Sequence, residues 1–319
     1  MPVSLATVNE AKVLLDRYFP GSRLVAARSL TTEHCSVYLK LETDLPTGSF
    51  KPRGALWALS VNLGKGAVRE VVASSTGNHG AAVAYAAKTL GIACTIFLPS
   101  NANSTKRAKI AALNATIVEC GASDLASAFV AARDYSQRDG VYFLNDATDP
   151  DLPAGPATIA IEIFEQNPST DTIYVPMGDT ALIRGVAAAA KQLSPDVCIV
   201  GVQAERAPSY FLSWREGRAI PTDTCDTIAD GLATRTPEEA NVTEIRRLVD
   251  KVMLVGEAEM LAAIRYLSER EGALAEPAGA AATAAFQQSV GDKGKQVALL
   301  VTGNNIAPDV REKALGAKN

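Results

Sequence analysis

Lys51 is the residue of this sequence whose type and setting best suit nucleophilic chemistry. It lies in the run 46–55, between an alternating segment, 37–42, that predicts a strand and an apolar-periodic segment, 55–59, that predicts a helix. A helix N-terminus disfavours a second positive charge, so a lysine there in an apolar setting can have a lowered pKa and act as a nucleophilic amine. The alternative is a solvated lysine in a first helical turn.

Five further segments combine small and polar residues in patterns that can bind a ligand. They are residues 74–80, 175–185, 228–232, 276–280 and 299–305. The first two link a predicted strand to a predicted helix, so backbone N–H groups and the helix dipole can bind an anion there. The last follows the carboxyl end of a strand, where open α/β sheets bind ligands. Taken singly, each is also explained as a turn or a helix cap.

Predicted strands and helices alternate along the chain, which indicates parallel sheets with right-handed crossovers. The strands are predicted at 37–42, 70–74, 94–98, 116–119, 141–144, 172–176, 197–203, 252–255 and 296–301. The helices are predicted at 7–18, 55–59, 80–90, 105–113, 122–137, 182–193, 238–249, 257–272 and 278–288. Residues 1–30 are predicted to hold helix and a surface loop, with no strand.

The loop 145–156, rich in Asp, Pro and Gly, is the best candidate for a domain boundary. We therefore predict a small domain over 63–146 and a discontinuous large domain over 1–62 and 147–319. Each is expected to hold an open, twisted parallel sheet flanked by helices.

The composition excludes several classes of protein. The chain has 319 residues, 47% of them hydrophobic and 21% charged, and a net charge of -4. Without a block of Lys and Arg, nucleic acids and anionic membranes are not expected partners. No apolar run reaches transmembrane length, and the N-terminus lacks the features of a signal peptide.

The five cysteines form no C-x-x-C pair, which is typical of a reduced, cytoplasmic protein. With two histidines, a histidine-rich metal site is not available, and no G-x-S-x-G motif is present.

The order and separation of the motifs resemble the fold-type II pyridoxal-phosphate (PLP) enzymes. Within them the chain is most similar to the threonine/serine dehydratase and serine racemase branch, which shares the tryptophan synthase β-like fold. The resemblance covers about residues 37–306. It rests on T-G-S-F-K-P-R-G-A around Lys51, on S-x-G-N-H-G at 75–80 and on the order of the later segments.

The resemblance implies a role for each matching residue. Lys51 is expected to bind PLP covalently and to act as the general base, while Phe50 packs on the cofactor ring. Asn78 is expected to bind the ring hydroxyl and Thr302 the pyridine nitrogen. The substrate carboxylate is expected at Ser75, Thr76, Gly77, Asn78 and His79. The phosphate is expected at Gly178, Asp179, Thr180, Ala181 and Leu182, and Gly231 and Glu276 are expected to line the site.

The implied reaction is β-elimination from a β-hydroxy amino acid of the threonine or serine type, giving a 2-oxo acid and ammonia. PLP supplies the electron sink, and a neutral hydroxyl at the pyridine nitrogen favours quick elimination over transamination. The alternatives are a racemase, a β-replacement enzyme like threonine synthase or cysteine synthase, and a non-catalytic PLP or amino-acid binding protein. Residue His79 argues against the cysteine synthases, which usually have threonine there. The partners are expected to be a small amino acid and a second copy of the chain.

Three positions depart from the pattern of that branch. Asp179 and Thr180 stand where dehydratases carry glycines; Asp179 is expected to point away from the phosphate, with Thr180 capping the helix. Thr76 stands where the racemases have a serine. The acidic run that binds a divalent cation in the racemases is incomplete after Glu205, so no metal site is predicted.

Overall fold

The computed structural model describes residues 3–66, 68–100, 104–121, 125–291 and 293–316. Its strands are β1 (Leu24–Ala26), β2 (Ser36–Leu41), β3 (Glu70–Ser74), β4 (Ala93–Pro99), β5 (Thr116–Cys120), β6 (Val141–Phe143), β7 (Thr172–Pro176), β8 (Cys198–Ala204), β9 (Lys251–Val255) and β10 (Gln296–Val301). Its helices are α1 (Leu5–Leu15), α2 (Lys51–Lys65), α3 (Asn78–Leu90), α4 (Ser104–Ala111), α5 (Leu125–Tyr135), α6 (Ala154–Gln166), α7 (Ala181–Leu193), α8 (Ser209–Glu216), α9 (Glu239–Leu248), α10 (Glu257–Arg270), α11 (Pro277–Gln288) and α12 (Pro308–Leu315).

The strands form two sheets. The larger has the order β1-β2-β10-β7-β8-β9 and is parallel except for β1, which pairs antiparallel with β2. The smaller has the order β5-β4-β3-β6 and is parallel throughout. The predicted α/β class with parallel sheets is confirmed. The predicted domain boundaries stay a prediction.

Hydrophobic side chains cover both faces of the large sheet, as expected for a parallel sheet between helices. Along β10, Val297, Leu299 and Val301 pack on one side with α10 and α11, while Ala298 and Leu300 pack on the other with α6 and α7. Strands buried on both faces read as continuous apolar runs, which is why the last strand was predicted with the bounds that the structure has.

Three sequence predictions about elements are wrong. Strand β1 lies in the segment predicted to hold no strand, where Val25 pairs with Leu39. Helix α6 begins at Ala154, inside the predicted loop 145–156, and α2 begins at Lys51 rather than at residue 55. Both helices have a proline near their start, where the missing N–H costs nothing. The start of the predicted helix 122–137 lies outside the described residues.

A buried charge cluster lies below the start of α2. It consists of Lys40, Glu42, Arg53 and Glu162. The Arg53 guanidinium donates to the Glu42 carboxylate at 2.7 Å and to the Glu162 carboxylate at 2.6 Å, and the Lys40 ammonium lies 2.6 Å from Glu162. These side chains are 0–4% exposed. Two cations and two anions balance, and the cluster joins α2 to β2 and α6.

Candidate active site

The loop that carries Lys51 is fixed to the loop after β10 by main-chain hydrogen bonds. The Phe50 N–H donates to the Thr302 carbonyl at 3.0 Å, and the Asn304 N–H donates to the Gly48 carbonyl at 3.0 Å. Since β2 and β10 are parallel neighbours, their carboxyl ends meet at one edge of the large sheet. The sequence-predicted lysine and hydroxyl are thereby brought together.

The Lys51 amine meets a carboxylate that sequence reasoning did not single out. Its Nζ lies 2.7 Å from Oδ2 of Asp146 and 5.2 Å from the centre of the Phe50 ring. The side chains of Lys51 and Asp146 are 18% and 20% exposed, so a small molecule can reach the pair. Asp146 follows β6 of the small sheet, so the pair joins the two sheets.

The expected lowering of the Lys51 pKa is wrong for this structure. Burial lowers the pKa of Lys51, but the negative charges of Asp146, Asp179 and Glu276 outweigh burial and raise it above its ordinary value. Burial likewise opposes the charge on Asp146, yet His79 and Lys51 hold the pKa of that carboxyl well below its usual range. The pair is therefore an ammonium and a carboxylate.

The His79 ring is a neutral support for this pair. Its Nε2 donates to the Leu144 carbonyl at 2.9 Å, and its Nδ1 lies 3.8 Å from the Asp146 carboxylate. Burial lowers the pKa of His79 despite the nearby Asp146. The role predicted for His79 at the substrate carboxylate, mostly through backbone N–H groups of its loop, stays a prediction; the ring of His79 holds the turn that follows β6.

Asn78 joins the start of α3 to the large sheet. Its Nδ2 donates to Glu276 at 2.6 Å, and its Oδ1 accepts from Asn305 at 2.7 Å. Asn305 also donates to the Thr47 carbonyl at 2.7 Å and accepts from Lys109 at 2.7 Å. These bonds fix the orientation of the Asn78 amide beside the lysine loop.

The loop before α3 has the geometry of an anion site. Ser75, Thr76 and Gly77 are half-buried, the Gly77 N–H donates to the Ser75 hydroxyl at 3.2 Å, and no side chain caps the helix that begins at Asn78. A Cβ at Gly80 would overlap the Ser75 carbonyl oxygen. The glycine therefore lets this loop fold back onto the first helical turn.

The loop before α7 contains a strained residue. Thr180 has φ +70°, a conformation that favours glycine, and its hydroxyl does not cap the helix that begins at Ala181. The predicted cap is therefore wrong. Among the described residues, the buried Thr180 hydroxyl has no hydrogen-bond partner. A Cβ at Gly178 would overlap the Gly231 carbonyl oxygen, so these two predicted site residues pack directly on each other.

Asp179 lies within the same loop and binds a hydroxyl. Its Oδ1 accepts from Thr234 at 2.9 Å. Burial and the charge of Asp146 raise the pKa of Asp179 to about 6, against the opposing effect of Lys51. The carboxyl is therefore mostly ionised at neutral pH, and its repulsion of a phosphate falls as it takes up a proton below about pH 6.

Comparison with known proteins identifies the family. Residues 17–303 match the family model described as "Pyridoxal-phosphate dependent enzyme". The chain belongs to this family.

Named relatives of this PLP-dependent enzyme support its reaction class. It is 38% identical over 270 residues to the L-threonine ammonia-lyase of Thermotoga maritima, covering 85% of this chain and 67% of the relative. It is 32% identical to the L-threonine dehydratase catabolic TdcB of Staphylococcus aureus strain N315, covering 95% and 89%. The structure of maize serine racemase superposes with a TM-score of 0.91 at 27% identity, covering 97% and 95%. The predicted family, PLP cofactor and dehydratase chemistry are confirmed.

The residues at this site fit PLP. The Lys51 amine is accessible, and Thr302, whose carbonyl accepts from the Phe50 N–H, is only 4% exposed. At the start of α7, the unpartnered Thr180 hydroxyl and the helix dipole suit an anion. No cluster of three or more His, Cys, Asp or Glu suited to a metal ion occurs within the part of the chain that the structure describes. None of its described helices is long and apolar enough to span a membrane.

Sequence reasoning missed Asp146 and Thr234, which contact the predicted site residues Lys51 and Asp179. It also missed Lys109, which binds Asn305; Asn305 lies in the predicted segment 299–305 but was assigned no role there. For Asp146 a signal existed, because it lies two residues after the carboxyl end of a predicted strand. For Lys109 no signal existed, since it lies on a helix whose contact with Asn305 spans 196 positions of sequence.

Proposed function

We propose that this chain is a PLP-dependent ammonia-lyase that acts on L-threonine or L-serine. The observation that carries the proposal is the position of Lys51: its amine is accessible, and its loop is tied by main-chain bonds to Thr302. The names of the relatives give the same reaction class. When bound, PLP supplies the electron sink that stabilises charge on the substrate Cα.

We assign the following roles to the chain's own residues. Lys51 holds the cofactor and removes the Cα proton; its loop positions the Phe50 ring beside it. The first turn of α3, with Ser75 and Thr76 before it, binds the substrate carboxylate through backbone N–H groups. The Thr302 hydroxyl pairs with the pyridine nitrogen without adding charge, which favours loss of the β-hydroxyl.

The phosphate site is assigned to the start of α7, where residues Gly178, Asp179, Thr180, Ala181 and Leu182 lie. The Thr180 hydroxyl supplies a donor there. The bond from Thr234 holds the Asp179 carboxyl. Glu276 and Gly231 border the site, Glu276 through its bond to Asn78.

The test is a substrate screen on the PLP-loaded enzyme. L-threonine, L-serine, their D-isomers and other β-hydroxy amino acids are incubated with it, and 2-oxo acid and ammonia are measured together. Equal amounts of both products from L-threonine or L-serine are expected. Amino acid of inverted configuration as the main product would favour a racemase, the alternative that the resemblance to maize serine racemase supports. A new amino acid formed only with an added nucleophile would favour a β-replacement enzyme.

We also propose that the enzyme is a cytoplasmic homodimer. Support for the compartment comes from the cysteines, all five of which are free thiols. Light scattering of the purified chain tests the dimer, and a mass of one chain would contradict it.

A further inference from the structure

We propose that Asp146 is a positioning residue of the reaction: it holds the Lys51 amine in place and stabilises the ammonium that forms when Lys51 takes the Cα proton. The proposal rests on the role proposed for Lys51. Its basis is the bond of 2.7 Å between the two side chains, which are 18% and 20% exposed. A charged pair so placed is reachable by substrate and still retains its strong hydrogen bond.

The turn that carries this carboxylate is fixed from two helices. His79, in the first turn of α3, donates to the Leu144 carbonyl at 2.9 Å. Within the turn, the Ala147 N–H donates to the Asn145 side chain at 3.0 Å. From α9, Asn241 donates to the Ala147 carbonyl at 3.0 Å. A carboxylate on so constrained a turn keeps its distance from the lysine during the reaction.

The charges around the pair also favour the ammonium form of Lys51. The titratable groups that act on Lys51, Asp146 and their neighbours come from several elements; they are His79, Asp149, Asp179, Glu238 and Glu276. All but His79 are acids, and burial keeps that ring neutral. Asp146 is the acid that forms a direct hydrogen bond with the amine, at 2.7 Å.

In the proposed reaction the Asp146 carboxylate transfers no proton. When the Cα–H bond breaks, its electron pair stays on the substrate and the proton goes to Nζ of Lys51. That pair forms the Cα–Cβ double bond as the Cβ–O bond breaks, and the Lys51 ammonium gives its new proton to the departing hydroxyl, which leaves as water while Lys51 becomes a neutral amine again. Asp146 neither gives nor takes a proton; it lowers the free energy of the ammonium between these events.

The experiment compares Asp146→Asn with Asp146→Glu and with a control, Asp151→Asn. Asp151 lies in the same loop and also binds a lysine, Lys65, at 2.7 Å, but that lysine is 59% exposed. In the full-length chain freed of PLP, trace acetylation at a series of pH values followed by mass spectrometry gives the pH at which Lys51 becomes reactive. In the PLP-loaded enzyme, kcat and KM are measured from pH 6 to pH 10.

In Asp146→Asn, the midpoint of Lys51 labelling is expected to fall by about 1–3 pH units, because the opposite charge is lost. We expect kcat to fall about 10- to 100-fold at near-constant KM. Asp146→Glu is expected to restore most of the midpoint, and Asp151→Asn to leave it unchanged. An unchanged midpoint in Asp146→Asn, or an equal fall in Asp146→Asn and Asp146→Glu, would overturn the proposal. Failure of the proposed function is separate, since it shows as no 2-oxo acid or ammonia from L-threonine or L-serine with the natural chain, whereas the labelling midpoint of Lys51 is measured without substrate.

Discussion

Two groups of charges include a residue of the first turn of α2, Lys51 in one and Arg53 in the other. They differ in their exposure to water and in the balance of positive and negative charge. The buried charge cluster around Arg53 is closed to water, with side chains 0–4% exposed. Lys51 lies two residues before Arg53 in the same helix, and the side chains of Lys51 and its partner Asp146 are 18% and 20% exposed. The cluster balances two cations with two anions, whereas several acids surround the single ammonium of Lys51.

The difference separates a structural use of charge from a chemical one. In the cluster, removal of one partner leaves another charge buried without compensation, and water cannot replace it. At the open pair, a substrate or water can take the place of a partner. The same helix can therefore hold one cation rigidly and keep another available for reaction.

The largest expected effect is on turnover, at the open pair. Lys51→Ala should abolish covalent attachment of PLP and essentially all activity, because the side chain no longer carries an amine. Borohydride reduction of the PLP-loaded enzyme followed by peptide mapping identifies the modified lysine. If another lysine carries the label, Lys51 is not the cofactor lysine.

The largest effect on stability is expected at the cluster. Arg53→Met should lower the free energy of unfolding by about 3–5 kcal/mol, because it leaves buried carboxylates unpaired. The control is Arg23→Met, since Arg23 binds Asp44 at 2.7 Å on the surface and is 68% exposed; about 1 kcal/mol or less is expected there. Denaturant titrations measure the free energy of unfolding of both variants. An equal loss in Arg53→Met and Arg23→Met would contradict the expectation that buried charge pairs matter more for stability than exposed ones.

Acid should destabilise the protein partly through the cluster. Burial opposes the charge of Glu162, but Arg53 and Lys40 lower its pKa from 4.5 to about 2. Because the folded pKa is the lower one, this stabilisation is fully present above pH 4.5 and is lost as pH falls towards 2; it amounts to about 3 kcal/mol.

Denaturation midpoints between pH 6 and pH 3 test this dependence. As pH falls, the midpoint should decrease less steeply for Glu162→Gln than for the natural chain. The control is Glu165→Gln, at a carboxyl that is 58% exposed, and its midpoint should depend on pH as that of the natural chain does. Parallel curves for all three proteins would contradict the assignment.

Substitutions of Thr302 are expected to have a moderate effect on PLP binding and on the ratio of products. Thr302→Ala should weaken PLP binding by about 1–3 kcal/mol, because a buried ring nitrogen loses its partner, and Thr302→Ser should be mild. Thr302→Asp should favour protonation of the ring and slow elimination relative to transamination. Equilibrium dialysis and product ratios measure these effects. Wild-type behaviour of the Asp variant would show that Thr302 does not contact the pyridine nitrogen.

The smallest effect is expected from chelation. The acidic run after Glu205 is incomplete, so EDTA should leave activity and stability nearly unchanged. Assays before and after dialysis against EDTA decide this. A large loss that Mg²⁺ or Ca²⁺ restores would show that the segment after Glu205 binds a metal.

The sequence was informative where a residue's own neighbours determine its structure. The apolar runs of β7 and β10 predicted both strands with the bounds observed, and the motif around Lys51 predicted the family. It failed where tertiary packing decides. Pro153 and Gly155 indicated a loop, yet α6 packs against α2 there, and a Cβ at Gly155 would overlap the Arg53 carbonyl oxygen. Asp146 lies 95 positions from Lys51, so no local pattern could predict their bond or the resulting pKa.

The main-chain bonds between the Lys51 loop and the loop after β10 bear on how such enzymes diversify. Any residue except proline can donate the N–H at position 50, and every residue can supply the carbonyl at position 302. Mutation can therefore replace the side chains around the reacting carbon while the main-chain bonds keep the Lys51 loop in the same position against the loop after β10. Natural selection of this kind is consistent with the resemblance of one chain to both a racemase and an ammonia-lyase. Libraries for new substrates should accordingly vary Ser75 and Thr76 and leave intact the backbone of the Lys51 loop and of the loop after β10.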